Sequence, residues 1–207
     1  LQIIFASFLE PGDKVLAPGP HYPPYMAYPQ MYGATTVEYR LDPSNGWRID
    51  LDDIKSKMDE SVRLLVLINP NNPTGNVASV EEIDNLIHIA EQWPKCTIIA
   101  DEIYDGLDFT DKFVSVASRS KKAPVLALNG VSKVYFAPGW RIGYMAWHDP
   151  SGKLGLVRDG VERLLRSRLC ASTPAGWSGR RERVGGGELG EIGGKWGGES
   201  PLNWLDN

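Results

Sequence analysis

Residues 64–75 read Leu64-Leu65-Val66-Leu67-Ile68-Asn69-Pro70-Asn71-Asn72-Pro73-Thr74-Gly75. Five apolar residues stand without a break, and a run of turn formers comes next. A short, unbroken apolar run stopped by Asn, Pro and Gly is the signature of a strand whose sheet is covered on both faces. Working outward, candidate strands of the same kind recur at residues 14–17, 35–39, 97–100, 125–128 and 142–146. Amphipathic helical patterns lie between and after them, over 51–58, 79–90 and 154–169. Ser79-Val80-Glu81-Glu82 opens the second of these with a capping serine and a carboxylate three residues on. Such alternation predicts an α/β fold with a mostly parallel sheet flanked by helices. Sheets of this type place their ligands beyond the carboxyl ends of the strands, so the residues just after each apolar run carry the functional reading.

Bulk properties narrow the possibilities. The 207 residues are 42% hydrophobic and 23% charged, as in an ordinary soluble domain. A formal charge of -4 gives no reason to expect nucleic acid or an anionic membrane as partner. No stretch approaches the roughly 18 apolar residues of a membrane span. Leu1-Gln2-Ile3-Ile4-Phe5 has neither the basic flank nor the cleavage site of a signal peptide. It starts without Met, inside a helix-like apolar run, as expected of a chain whose beginning has been removed or processed. Cys96 and Cys170 have no metal-ligand spacing, and both are expected to be reduced in a cytoplasmic protein. The α/β pattern stops near Pro174. Residues 176–198 are rich in Gly, Arg, Glu and Trp with no helical or strand period, so 175–207 reads as a disordered tail, a lost coding frame or a glycine-rich appendage.

Three segments carry chemistry. Asn129-Gly130-Val131-Ser132-Lys133 follows a strand and leads to Ala137-Pro138-Gly139-Trp140-Arg141-Ile142-Gly143. The Lys133 amine is suited to a Schiff base, and the Arg141 fork suits a phosphate; taken alone, the two read equally as a surface lysine and half of a salt bridge. Asn69–Gly75 reads alone as a turn, yet an asparagine held between prolines can also bind a phenolic oxygen or a carboxylate. In Ala100-Asp101-Glu102-Ile103-Tyr104 an aspartate ends an apolar strand, where it could keep a pyridine nitrogen protonated. Tyr104 could donate to a ring oxygen. A solvated aspartate and a packed tyrosine are the plain alternative.

Together these segments, in this order and spacing, resemble the class I aminotransferases of the fold-type I superfamily, which use pyridoxal 5'-phosphate (PLP). The resemblance covers about residues 1–175. It implies that residues 1–174 are a partial PLP-binding large domain, that Lys133 is the Schiff-base lysine, and that Arg141 binds the cofactor phosphate. It further implies that Asp101 pairs with the pyridine nitrogen, that Tyr104 and Asn72 contact the ring oxygen, and that Asn72 also approaches the substrate carboxylate. Pro18-Gly19-Pro20-His21-Tyr22-Pro23 matches the stretch whose aromatic residue, here Tyr22, stacks on the cofactor. Ser132 remains as a hydroxyl donor to the cofactor, because Gly130 stands where many relatives carry a phosphate-binding serine. Asn129–Lys133 and Arg168-Leu169-Cys170 with Thr173-Pro174-Ala175 look most like the alanine (glutamate–pyruvate) aminotransferases.

The implied activity is ping-pong transamination between alanine or glutamate and pyruvate or 2-oxoglutarate, with Lys133 moving the proton at the substrate α-carbon. A homodimer and a cytoplasmic location are implied with it; no metal is. The family's phosphate-binding turn would precede Leu1, and its small domain with a carboxylate-clamping arginine has no match after Pro174. Two other readings stay open: a non-catalytic remnant that binds PLP or other subunits, and a different fold-type I enzyme such as a carbon–sulfur lyase.

Overall fold

The computed structural model describes residues 1–168. The expectations for Cys170, Thr173, Pro174, Ala175 and the glycine-rich segment lie outside the described residues.

Every apolar run forms the strand expected of it, usually with a residue or two added at the ends. In chain order the regular elements are α1 (Gln2–Phe8), β1 (Lys14–Gly19), α2 (Pro24–Gln30), β2 (Thr35–Asp42), β3 (Arg48–Ile49) and α3 (Leu51–Lys57). Then come β4 (Val62–Ile68), α4 (Val80–Glu91), β5 (Thr97–Asp101), α5 (Val116–Arg119), β6 (Val125–Gly130), β7 (Gly143–His148) and α6 (Gly155–Arg168). The seven strands make one sheet in the order β3-β2-β1-β4-β5-β6-β7. From β2 to β6 the neighbours are parallel; β3 and β7 close the two edges antiparallel.

The unbroken apolar runs have a direct cause. Leu65 and Leu67 of β4 enter one core with Ile98 and Ala100 of β5, under Ile54 of α3 and Ile83, Leu86 and Ile87 of α4. Leu64, Val66 and Ile68 enter the opposite core with Ile99, Leu126, Phe5 of α1 and Tyr25 of α2. A strand with a helical layer on each face has no solvent side and therefore needs no polar alternation. Burying each such aliphatic side chain contributes about 1.5–3 kcal/mol. The helix starts also agree with the sequence. The Ser79 hydroxyl accepts from the Glu82 amide at 3.2 Å while Glu82 accepts from the Ser79 amide at 2.9 Å, closing the capping box at α4. Asp50 caps α3 by accepting from the Asp53 amide at 2.9 Å.

Three elements have no counterpart in the periodicity. β3 is too short for a pattern, and α5 spans a single turn. α2 carries prolines and shows no apolar period, and Pro24 sits in its first turn, where its missing N–H costs nothing. Residues 1–164 form one compact unit; of a second, 165–207, only the first four residues are described. Among the described residues no helix is long and apolar enough to cross a membrane.

Candidate functional site

Strand direction assembles the site. Because β1, β4, β5 and β6 are parallel, the residues beyond them emerge at one end of the sheet: Tyr22 after β1, Asn72 after β4, Asp101 and Tyr104 at the end of β5, and Ser132 and Lys133 after β6. β7 runs the other way, with Gly143 paired to Gly130, so Arg141 just before it belongs to that same end. The sheet order also reverses here. The chain passes from β1 out to β2 on one side, then returns to place β4 on the other. Such a switch point opens a crevice between diverging connections.

At the end of β5, Asp101 is half-buried and its backbone is pinned on both sides. The Asn69 amide donates to its carbonyl at 2.9 Å, and the next amide, of Glu102, donates to the Leu128 carbonyl at 2.9 Å. The carboxylate Oδ2 accepts from the hydroxyl of Tyr25 at 2.7 Å. Burial pushes the Asp101 carboxyl above the usual carboxylate range; the Tyr25 hydroxyl, the Ile103 backbone N–H and the Leu1 amino group pull it back. Three residues on, the Tyr104 hydroxyl accepts from Asn72 Nδ2 at 3.2 Å. Lys133 Nζ lies 5.6 Å from the centroid of the same ring, within cation–π range. Asn72, Tyr104 and Lys133, from three different connections, are thus brought together. Asn71 shapes the turn that presents Asn72, accepting from the Thr74 hydroxyl at 2.9 Å.

The remaining predicted residues stand further out. Lys133 and Arg141 are exposed, and Ser132 is half-buried. Arg141 Nη1 donates to the Pro138 carbonyl at 3.1 Å, and its backbone lies in the left-handed region at φ 55°. Tyr22 is 45% exposed beside Leu1, Gln2 and Ile3. Of these outer residues, Lys133 lies over the Tyr104 ring. Gly130 has a local reason to be glycine. A Cβ there would lie 2.8 Å from the Ile142 carbonyl oxygen and 3.1 Å from Gly143 Cα, so β7 could not pair as closely.

Two groups near the site escaped the sequence reading. Tyr25 is fully buried and joined to Asp101 across 76 residues of chain; its position in the first turn after Pro23-Pro24 was a weak signal, and nothing local pointed to its partner. Glu102 is buried and accepts from the Val116 amide at the start of α5 at 2.9 Å. Burial pushes its carboxyl up to about 7, against the Val116 amide and the Ser115 hydroxyl. Asn129, noted in sequence only as part of a motif, donates from Nδ2 to Asp105 at 2.8 Å. Cys96 is buried, and burial pushes its thiol up to about 12, which leaves it a packed hydrophobe.

The donor set is chemically specific. It offers a primary amine for a carbonyl, a shielded carboxylate for a ring nitrogen, a phenol with an amide for a ring oxygen, and a guanidinium for a phosphate. PLP carries those four partners. Comparison with known proteins agrees. The family described as aminotransferase class I and II matches residues 1–177. The alanine aminotransferase of Mycobacterium bovis is 38% identical over 176 residues, which cover 84% of this chain and 41% of that protein. S-alkyl-thiohydroximate lyase SUR1 of Arabidopsis thaliana is 41% identical over 155 residues, 73% of this chain and 33% of the relative. Among solved structures, the alanine aminotransferase from Pyrococcus furiosus superposes with a TM-score of 0.79 at 44% identity, over 82% of this chain and 43% of the other. The chain therefore spans less than half the length of each of these relatives. In fold and in sequence it belongs to the class I and II aminotransferases, the PLP-dependent family of fold type I.

Proposed function

We propose that this chain provides the cofactor-holding part of a transaminase that exchanges the amino group between alanine or glutamate and pyruvate or 2-oxoglutarate. The observation that carries the proposal is the meeting of Asn72, Tyr104 and Lys133 at the end of the sheet where Asp101 closes β5. Bound PLP supplies an electron sink for the carbanion formed at a substrate α-carbon. Lys133 anchors the cofactor through its amine and, once released, removes and returns the proton at the substrate α-carbon as general base and acid. Asp101 holds a negative charge against the pyridine nitrogen, and its shielding from water strengthens that interaction. Tyr104 and Asn72 hold the ring oxygen, and Asn72 also meets the substrate carboxylate. Tyr22 covers a ring face, and Ser132 and Arg141 bind the phosphate. The choice of alanine and glutamate rests on the 38% identity to an alanine aminotransferase and on the Asn129–Lys133 segment. A homodimer and a cytoplasmic location belong to the same proposal, the first checked by sedimentation equilibrium.

A second reading has an observation behind it. The 41% identity to S-alkyl-thiohydroximate lyase SUR1 runs over 155 residues, 73% of this chain, so the family likeness alone does not choose between the two chemistries. Product analysis does. Pyruvate formed from alanine only in the presence of 2-oxoglutarate, with glutamate appearing in equal amount, supports transamination. Release of ammonia and a thiol from a cysteine conjugate, with no need for a 2-oxo acid, supports the lyase instead.

A further inference from the structure

We infer that Tyr25 is a positioning residue for Asp101: it holds one carboxylate oxygen from the protein side, fixing the rotation of the group and favouring its anionic form. The inference rests on the PLP reading for its purpose, since Asp101 is the residue there paired with the pyridine nitrogen.

The geometry around Tyr25 is over-determined for a simple core aromatic. Its ring is fully buried and lies edge-on to Phe5 of α1, with centroids 6.2 Å apart and planes at 82°, and to His21, at 6.5 Å and 78°. Its carbonyl accepts from the Thr36 hydroxyl of β2 at 2.7 Å, and its amide donates to the Tyr22 carbonyl at 3.0 Å. Two ring contacts and two backbone hydrogen bonds therefore fix the residue before its hydroxyl is considered. That hydroxyl reaches Asp101 Oδ2 at 2.7 Å, within the range of a hydroxyl donating to a charged oxygen. A core position asking only for volume would be filled by phenylalanine without burying a polar atom.

The direction of donation is also settled. Burial, and then the charge of Asp101, push Tyr25 well above the ordinary phenol value, so Tyr25 stays neutral and remains the donor. The groups facing Asp101 are Tyr25 from α2, the Leu1 amino group at the start of α1, the Ile103 N–H beyond β5, and neighbouring Glu102. The first three favour ionisation of Asp101, whose charge in turn raises the Glu102 carboxyl. Tyr25 is the one side chain among those three. With Oδ2 held, the carboxylate cannot rotate freely about its last torsion, which is broad and weakly restrained in an unpartnered aspartate.

Tyr25→Phe keeps the ring contacts and removes the hydroxyl alone. In the cofactor-free protein, isotope-edited NMR of the Asp101 carboxyl should show its titration midpoint rise by about one pH unit or more. In protein loaded with PLP, the pH midpoint of the cofactor's absorbance change should move as well, with kcat falling and KM nearly unchanged. An Asp101 midpoint that does not move in a folded variant would overturn the inference. If Tyr25→Phe does not fold, the wild-type protein still decides. The ring carbon bearing the Tyr25 hydroxyl should shift at the same pH at which Asp101 titrates, and indifference of that resonance would overturn the inference equally. Failure of PLP to attach at Lys133 would count against the transaminase reading alone, because the cofactor-free titration reads the Tyr25–Asp101 contact by itself.

Discussion

The end of β5 and the segment between β6 and β7 hold two halves of one proposed site in opposite physical conditions. Asp101 sits behind a buried tyrosine, its carbonyl held by the Asn69 amide and the next amide, of Glu102, held by the Leu128 carbonyl of β6. Lys133 and Arg141 lie on an exposed segment where Tyr135, Phe136 and Trp140 are 73%, 83% and 72% exposed. The difference teaches where each half gets its precision. The aspartate is placed by the same packing that makes the sheet, so it is preorganised wherever the sheet folds. The lysine and arginine are placed by a connection that contributes little to the core. Function and stability should therefore separate in the outer half and entangle in the inner one.

The largest effect is expected in the outer half. Lys133→Ala should lower transamination by about 10²–10⁴-fold or more, as for loss of a proton-transferring group. The melting temperature should stay unchanged within the error of a surface substitution. A large fall in stability would break the contrast between the halves. Asp101→Asn comes next. The amide still accepts from Tyr25 but carries no charge, so activity should fall about 10²–10³-fold. Stability should rise by calorimetry, because a shielded charge has been removed.

Gly130→Ala probes the seam between the halves. Its methyl would meet the Ile142 carbonyl at 2.8 Å, and crowding of that kind costs about 1–3 kcal/mol. Chemical denaturation should register that loss, with loosened hydrogen exchange along β7.

An effect of similar size, confined to a pH window, is expected in the inner half. The carboxyl of Glu102 is pushed from its ordinary 4.5 to about 7 in the folded chain, so between those values the folded state binds more protons than the unfolded. Stability then falls as pH rises through that window and levels above it. Glu102→Gln keeps an acceptor for the Val116 amide without the charge. Relative to wild type it should gain about 1–3 kcal/mol between roughly pH 5 and pH 8. A difference that stays flat with pH would show Glu102 to be better solvated than its burial implies.

The fold was legible because two-sided burial writes itself as unbroken apolar runs. β4 and β5 need no polar face, and residues 64–68 and 97–100 show none. The residues at the carboxyl ends of those runs were legible too, since parallel strands deliver Asn72, Asp101, Tyr104 and Lys133 to one end. The contacts that tune the site were not. Tyr25 meets Asp101 across 76 residues, and Glu102 meets Val116 through a single-turn helix, α5. Neither pairing leaves a period in the sequence, because it depends on how separate connections fold over one another. Gly130 lay between these cases. Its departure from the serine of many relatives was visible, whereas its reason, the close approach of Ile142 and Gly143, needed the β6–β7 register.

The central claim is that the convergence at the switch point is a working PLP site. The protein should be mixed with PLP, reduced with borohydride, and digested for peptide mapping by mass spectrometry. The account predicts a phosphopyridoxyl group on Lys133 and little on other lysines, with the selectivity lost in Asp101→Asn or reduced in Tyr104→Phe. Labelling spread over surface lysines, or none at all, would contradict it and leave the family fold without its chemistry.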